Sequence, residues 1–135
     1  MLVALWRRSV LATHTFLSVA DVDALMPVVR HEVLGKLEVW VLENGGTAIG
    51  FMALHLNSVE ALFMDPVHRR HGGGRQMLNH ARSLKGPLVV DVNEQNLQAL
   101  QFYLAEGLKV AGRSELDGGG RPFPLLHLRE ISNDD

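Results

Sequence analysis

The chain has 135 residues, 47% hydrophobic and 21% charged, with 13 glycines and no cysteine. That is the size and composition of one folded domain, residues 1–135, and it excludes a disordered chain, a disulfide scaffold and a thiolate-ligated zinc site. Thirteen Lys and Arg against fifteen Asp and Glu give a net charge of −2. No apolar run nears the roughly 20 residues of a membrane span, and the opening MLVALWRRSV lacks the order of a signal peptide. A cytoplasmic protein with neither nucleic acid nor membrane as partner is expected.

No repeat or linker interrupts the sequence. Residues 3–18 carry Leu5, Trp6, Val10 and Leu11 on one broad face and predict a first helix. Ser18 followed by Asp21 reads as a capping box opening a second, with Val22, Leu25, Val29 and Val33 at helical spacing. Pro27 should kink this helix and Gly35 should stop it. The period then changes. Strands are predicted over 37–42 and 48–56 around the turn Asn44-Gly45-Gly46, and over 59–64, ended by Asp65-Pro66. A helix over 74–84 follows a glycine loop, then a short buried strand over 88–92 and a helix over 96–106 stopped by Gly107. Strands over 108–116 and 124–130 close as a hairpin around Asp117-Gly118-Gly119-Gly120. The order is that of an α/β protein, a mixed sheet with helices on its faces.

The stretch from Ala61 to Arg75 carries the chemistry. A strand ends, three glycines follow and a helix begins. Glycines allow a sharp turn that brings backbone N–H groups close to a ligand, and the helix N-terminus adds about half a positive charge. Between Pro66 and Val90 lie Arg69, Arg70, Arg75, Arg82 and Lys85 without a carboxylate, a basic island in an otherwise acidic chain. These features suit one compact anion such as a phosphate; the alternatives are a strand-to-helix turn with incidental arginines and a solvated helix face. A Walker A loop is excluded, since no Gly-Lys-Ser/Thr is present, and a dinucleotide fingerprint starting at Gly72 would need glycine at Met77. His68 and His71 precede the helix with no carboxylate at ligand spacing, so no metal site is expected.

Arg69-x-x-Gly72-x-Gly74 resembles the Q/R-x-x-G-x-G/A signature of the GNAT superfamily of N-acetyltransferases. A second block, from Asn96 through Ala99 and Tyr103 to Gly107-Leu108, resembles that family's N-x-x-A-x-x-x-Y-x-x-x-G-F element, with leucine for the final phenylalanine. One helix and one strand separate the blocks, as in the family. Val92 to Asn96, Gly112 to Glu115 and Trp6 to His14 further resemble one bacterial subgroup of it.

The resemblance implies the acyl-CoA N-acyltransferase fold, a mixed, mostly antiparallel sheet flanked by helices, with acetyl-CoA as cosubstrate. It implies that Leu62, Phe63 and Met64 pair with the pantetheine arm where two strands splay apart. Arg69, the motif's first residue, with Arg70, His71, Gly72, Gly73, Gly74 and Arg75 would hold the pyrophosphate. Asn96 would bond the pantetheine, and Tyr103 would also contact the cofactor and protonate the departing thiolate. Acetyl transfer needs a neutral amine, an oxyanion donor and an acid for the sulfur, and a phenol is protonated at neutral pH. Glu60 and Asp91 are both candidates for the base. Trp6, Arg7, Thr13 and His14 on the first helix and His127 on the last strand are candidates for the acceptor pocket, with core packing or surface exposure as the alternative for each.

The family usually opens on a strand, whereas this sequence begins at a helix. Residues 37–42 should then form a sheet edge, covered by the first helix or by a symmetric partner in a homodimer, or else short. The activity expected is transfer of acetyl from acetyl-CoA to a primary amine by direct attack; the alternative is a non-catalytic acyl-CoA-binding regulatory module. The acceptor amine is not identified by the sequence.

Overall fold

A computed structural model describes residues 2–13, 17–68 and 72–130. Helix α1 spans Leu2–Thr13, shorter than the apolar pattern suggests. Ser18 is extended, and its hydroxyl accepts from the Asp21 N–H while the Asp21 carboxylate accepts from the Ser18 N–H, so the predicted capping box opens α2, Val19–Val28. Pro27 lies inside α2 without ending it; the chain continues into a π-helical turn, Val29–Val33, closed where the Leu34 N–H donates to the Val29 carbonyl at 2.8 Å. The widened turn is how the helix runs on past a residue that lacks an N–H. Gly35 is not left-handed; a Cβ there would stand 2.6 Å from the His31 carbonyl oxygen, so close approach selects the glycine.

Strands β1 (Glu38–Asn44), β2 (Thr47–His55) and β3 (Ser58–Met64) form an antiparallel meander. Gly45 and Gly46, both at positive φ, make the first turn, the geometry that joins twisted strands through two residues. Helix α3 (Gly73–Lys85), β4 (Val89–Asn93), α4 (Leu97–Ala105), β5 (Leu108–Ser114) and β6 (Leu125–Glu130) complete the chain. The six strands lie in the order β1-β2-β3-β4-β6-β5. Every neighbouring pair is antiparallel except β3 and β4, which are parallel and meet only at Ser58–Val89 and Val59–Val90.

Both faces of the central sheet are packed. Leu54, Val59, Leu78, Leu88, Val90, Val92 and Leu128 form a core with α3 and α4. Leu5, Trp6, Val22, Phe51, Ala53 and Ala61 form another with α1 and α2. Strand β2 serves both cores, which is why its interior reads as an unbroken apolar run. The register slips between Ala53 and Leu54, leaving Glu60 as the extra residue of a bulge on β3. That slip turns Val59 toward one core and Ala61 toward the other.

Strand β1 is an outer strand, as expected. Its seven residues are not short, and α1 packs over β2 and β3 and does not cover that edge. Trp40, edge-on to His80 with ring centroids 4.4 Å apart, and Glu38, 2.8 Å from the Lys85 ammonium, tie β1 to α3.

Candidate active site

Beyond Val59 and Val90 the parallel strands separate. A cavity of about 580 Å³ opens there, between the end of β3, the start of α3 and one side of α4. Leu62 and Met64 reach it from the face of α3 and α4, and Phe63 with Ser9 of α1 from the opposite face, so the cleft communicates with both sides of the sheet. Nine of the residues expected to bind the cofactor line this one cavity: Leu62, Phe63, Met64, Gly72, Gly73, Gly74, Arg75, Asn96 and Tyr103. Arg69, Arg70 and His71 lie outside the described residues.

The three glycines are selected for three different reasons. Gly72 precedes α3 with φ of 82°, a left-handed conformation, and a Cβ there would meet nothing within 4 Å. The approach to the helix N-terminus is thereby open on that side, as an anion cradle needs. A Cβ on Gly73 would press on the Met64 side chain at 2.6 Å, and one on Gly74 would stand 2.9 Å from the Phe102 ring. Gly74 therefore lets α3 and α4 close on each other beside the cleft, so its missing side chain is a packing requirement.

The basic island proves less free than its composition suggests. Among the described cations, Arg75 holds the Glu106 carboxylate at 2.9 Å, Lys85 holds Glu38, and Arg82 is a hub. Arg82 donates to Glu130, to the Asn79 side chain and to the Glu106 carbonyl, joining α3 to the end of α4 and to β6. Only Arg75 of these three lines the cavity, with its side chain 68% exposed at the mouth.

Asn96 caps α4: its Oδ1 accepts from the Ala99 N–H at 3.2 Å, and the residue is buried. The cap fixes the first turn of α4 against the cleft. Two turns on, Tyr103 is 6% exposed, among Met52, Val92 and Leu108, with Phe102 edge-on at 5.1 Å. Burial pushes its phenol well above the ordinary value, so it is held protonated.

Glu60 and Asp91 stand where the strands part, one on the β3 bulge and one directly after Val90, and neither is among the residues lining the cavity. Of the first-helix candidates, Trp6 is buried in the α1–α2 core and Arg7 pairs with Asp23 at 3.3 Å. His14 and the Thr13 side chain lie outside the described residues. His127 lies on β6, its ring 2.6 Å from the Asp91 carboxylate.

Sequence reasoning missed Ser9, Gln98, Gln101, Phe102 and Glu106, all in the cavity wall. Ala99, Phe102, Tyr103 and Glu106 follow helical spacing, so one stripe of α4 drawn through Tyr103 would have found Phe102 and Glu106. Nothing local marks Ser9, which comes to the cleft because the Arg8 guanidinium reaches the Asp65 carboxylate at the end of β3, 2.9 Å away. Burial opposes ionisation of Asp65, but Arg8 and the Val67 N–H outweigh it and hold the carboxyl below its ordinary value.

A six-stranded sheet splayed beside a glycine-started helix, with a capped helix facing it, defines an acyltransferase built to receive an acyl-CoA. Residues 35–109 match the acetyltransferase (GNAT) domain, and the chain belongs to that family of acetyltransferases, with acetyl-CoA as cosubstrate. It is 47% identical over 131 residues to the peptidyl-lysine N-acetyltransferase YjaB of Escherichia coli K12, covering 96% of this chain and 88% of that one. It is 45% identical over 128 residues to YjaB of Salmonella typhimurium, covering 94% and 88%. The solution structure of apo YjaB from Escherichia coli superposes with a TM-score of 0.87 at 45% identity, over 96% of this chain and 88% of that one. The coenzyme A complex of a Thermoplasma acidophilum N-acetyltransferase shares the fold, with a TM-score of 0.73 at 18% identity over 97% and 91%.

Proposed function

We propose that this acetyltransferase moves the acetyl group of acetyl-CoA directly onto a primary amine, the side-chain amine of a lysine in a peptide or protein. The observation that carries the reading is the cleft at the β3–β4 splay, which gathers residues of both motifs and opens toward both faces of the sheet. A thioester entering from the α3 side can then meet an amine entering from the α1 side with no covalent enzyme intermediate. The lysine acceptor is supported by the relatives that carry the name peptidyl-lysine N-acetyltransferase at 45% and 47% identity.

The residues present suit the cosubstrate. The start of α3, opened by left-handed Gly72, offers backbone N–H groups to the pyrophosphate, with Arg75 as a neighbouring cation once it exchanges Glu106 for phosphate. The run of β3 from Leu62 to Met64, which pairs with β2 and lies beyond the β3–β4 register, suits the amides of the pantetheine arm. Tyr103 faces the same cavity with its proton retained, and donates a hydrogen bond to the sulfur as the C–S bond breaks. A thiol titrates near 8.5, below a tyrosine phenol at about 10, and burial raises Tyr103 further, so full proton transfer from Tyr103 to the thiolate is uphill. Its work is to stabilise the charge growing on sulfur, and solvent completes the protonation after release.

The test is direct. The purified chain with acetyl-CoA and a lysine-containing peptide blocked at its N-terminus should release free CoA thiol and add one acetyl group to the lysine side chain, read by mass spectrometry. Acetyl-CoA binding without acetylation of any amine would leave a non-catalytic binding module and overturn the proposal.

A further inference from the structure

Strand order places three residues in a line that the sequence scatters. Asp91 and His127 are direct cross-strand partners on β4 and β6. His127 faces Gly112 on β5, and the ring passes that side-chain-free position to reach Ser114 two residues on. His127 Nδ1 lies 2.6 Å from Asp91 Oδ1, and His127 Nε2 lies 2.6 Å from Ser114 Oγ. A carboxylate oxygen that close to a ring nitrogen needs a proton between them. This assigns the proton to Nδ1 and leaves the Nε2 lone pair to accept from the Ser114 hydroxyl.

The line begins beside the strand splay, outside the cavity wall itself. Val90 and Val92 point into the α3–α4 core, so Asp91 between them faces the opposite side, the one that α1 and α2 cover over β2 and β3. Asp91 directly follows Val90, the last residue to pair with β3, and so borders the splay on the side reached through Ser9 and Phe63. The Asp91 and His127 side chains are 56% and 39% exposed, open to an incoming molecule.

We propose, on the basis of the amine-acetylation reading, that His127 is the base that takes the proton from the acceptor amine, with Asp91 as its positioning residue. A lysine ammonium titrates near 10.4, so only about one molecule in 2,500 is neutral at pH 7. A carboxylate is too weak a base for that proton, whereas imidazole is the side chain that exchanges protons near neutrality. The ammonium proton passes to Ser114 Oγ as the serine hands its own proton to Nε2. The freed nitrogen lone pair then forms the C–N bond, the C–S bond breaks with its electron pair leaving on sulfur as the thiolate, and the second proton on the nitrogen passes to water as the amide forms. The resulting imidazolium has both N–H groups satisfied, one by Asp91 and one by Ser114, and later releases its proton to water. The charged groups facing His127 on this side are Asp91 on β4, Arg129 along β6 and Lys109 on β5.

The experiment measures kcat/KM for a lysine peptide at saturating acetyl-CoA from pH 7 to pH 10, for the wild-type chain, His127→Gln and Asp91→Asn. At pH 7, His127→Gln should lose about a hundredfold and Asp91→Asn about tenfold, the usual range for a positioned base and its orienting partner. Acetyl-CoA affinity and the unfolding midpoint should be unchanged in both. The deficit of His127→Gln should close toward unity at pH 10, where solvent supplies the neutral amine. A deficit equal at all pH values, or turnover within twofold of wild type at pH 7, would overturn the assignment. A wild-type chain inactive on every lysine peptide would fail the acetyl-transfer reading and this base with it; an active wild type matched by His127→Gln fails the base alone.

Discussion

Replacing Gly74 by alanine separates packing from helix propensity in a single methyl group. In an ordinary helix interior that change would stabilise by about 0.8–1 kcal/mol, because alanine is the better helix former. Here the new Cβ would stand 2.9 Å from Cζ and 3.1 Å from Cε1 of Phe102. The ring cannot retreat freely, since Tyr103 packs against it edge-on at 5.1 Å. Overpacking of this kind costs about 1–3 kcal/mol, so the net effect should be a loss of about 1 kcal/mol, or roughly 4 °C in the unfolding midpoint of a chain this size. Gly72→Ala should cost about 1–2 kcal/mol for a different reason, the left-handed φ of 82° with open space around it. Urea unfolding of both variants, with an acetyl-CoA titration of each, reads the difference: Gly74→Ala should also bind acetyl-CoA more weakly, because displaced Phe102 is part of the cavity wall. A Gly74→Ala chain more stable than wild type would show that the ring yields without cost and that close helix approach is not why glycine stands there.

Tyr103→Phe should leave acetyl-CoA affinity within about threefold and lower single-turnover acetylation by about 10²-fold, and an unchanged single-turnover rate would return the residue to a packing role. Because the folded state retains the phenol proton and the unfolded state releases it near pH 10, Tyr103 contributes stability that is complete below pH 10 and is lost as pH rises above it. Denaturant melts at pH 9 and pH 11 should show a smaller alkaline loss in Tyr103→Phe than in wild type. Arg75→Ala should weaken coenzyme A by about 1–2 kcal/mol while leaving pantetheine binding unchanged, and calorimetry finding equal losses for the two ligands would remove Arg75 from the phosphate site. Arg82→Ala should destabilise the chain by about 2–3 kcal/mol, since it strips partners from the largely buried Glu130 and Glu106 carboxylates, and a melt within 0.5 kcal/mol of wild type, about the scatter of a neutral surface change, would contradict the hub.

The elements were legible because each rests on local chemistry: the Ser18–Asp21 box, the Asn44-Gly45-Gly46 turn, the apolar run of β2 and the Asn96 cap all act within a few residues. The cofactor motifs were legible for the same reason, both being continuous in sequence. What joins the elements was not. Arg8 and Asp65 are 57 residues apart, Arg82 and Glu130 are 48 apart, and Asp91 and His127 are 36 apart. Each pair becomes visible only when the strand order β1-β2-β3-β4-β6-β5 is known, and that order depends on a crossover no local pattern announces. Gly74 is the intermediate case: its position was readable from the motif, but its neighbour Phe102 comes from another helix.

The two-residue contact between β3 and β4 has a consequence for how the chain assembles. The meander β1-β2-β3 closes through short turns, and β4, β6 and β5 form a second antiparallel set zipped mainly by their own ladder. Among the described residues, the Ser58–Val89 and Val59–Val90 pairings, with Val89 N–H to the Asn57 carbonyl and the Asn57 amide to the Pro87 carbonyl, stitch the two sets edge to edge. Closing that seam requires α3 and its flanking turns to be spanned first, an entropic cost the local hairpins do not carry. The two half-sheets should therefore form early and dock late, and the substrate cleft, which belongs to neither half, comes into being at the docking step. The same seam is the cheapest place for the native molecule to part, so local opening there would undo the cleft while both ladders stay zipped.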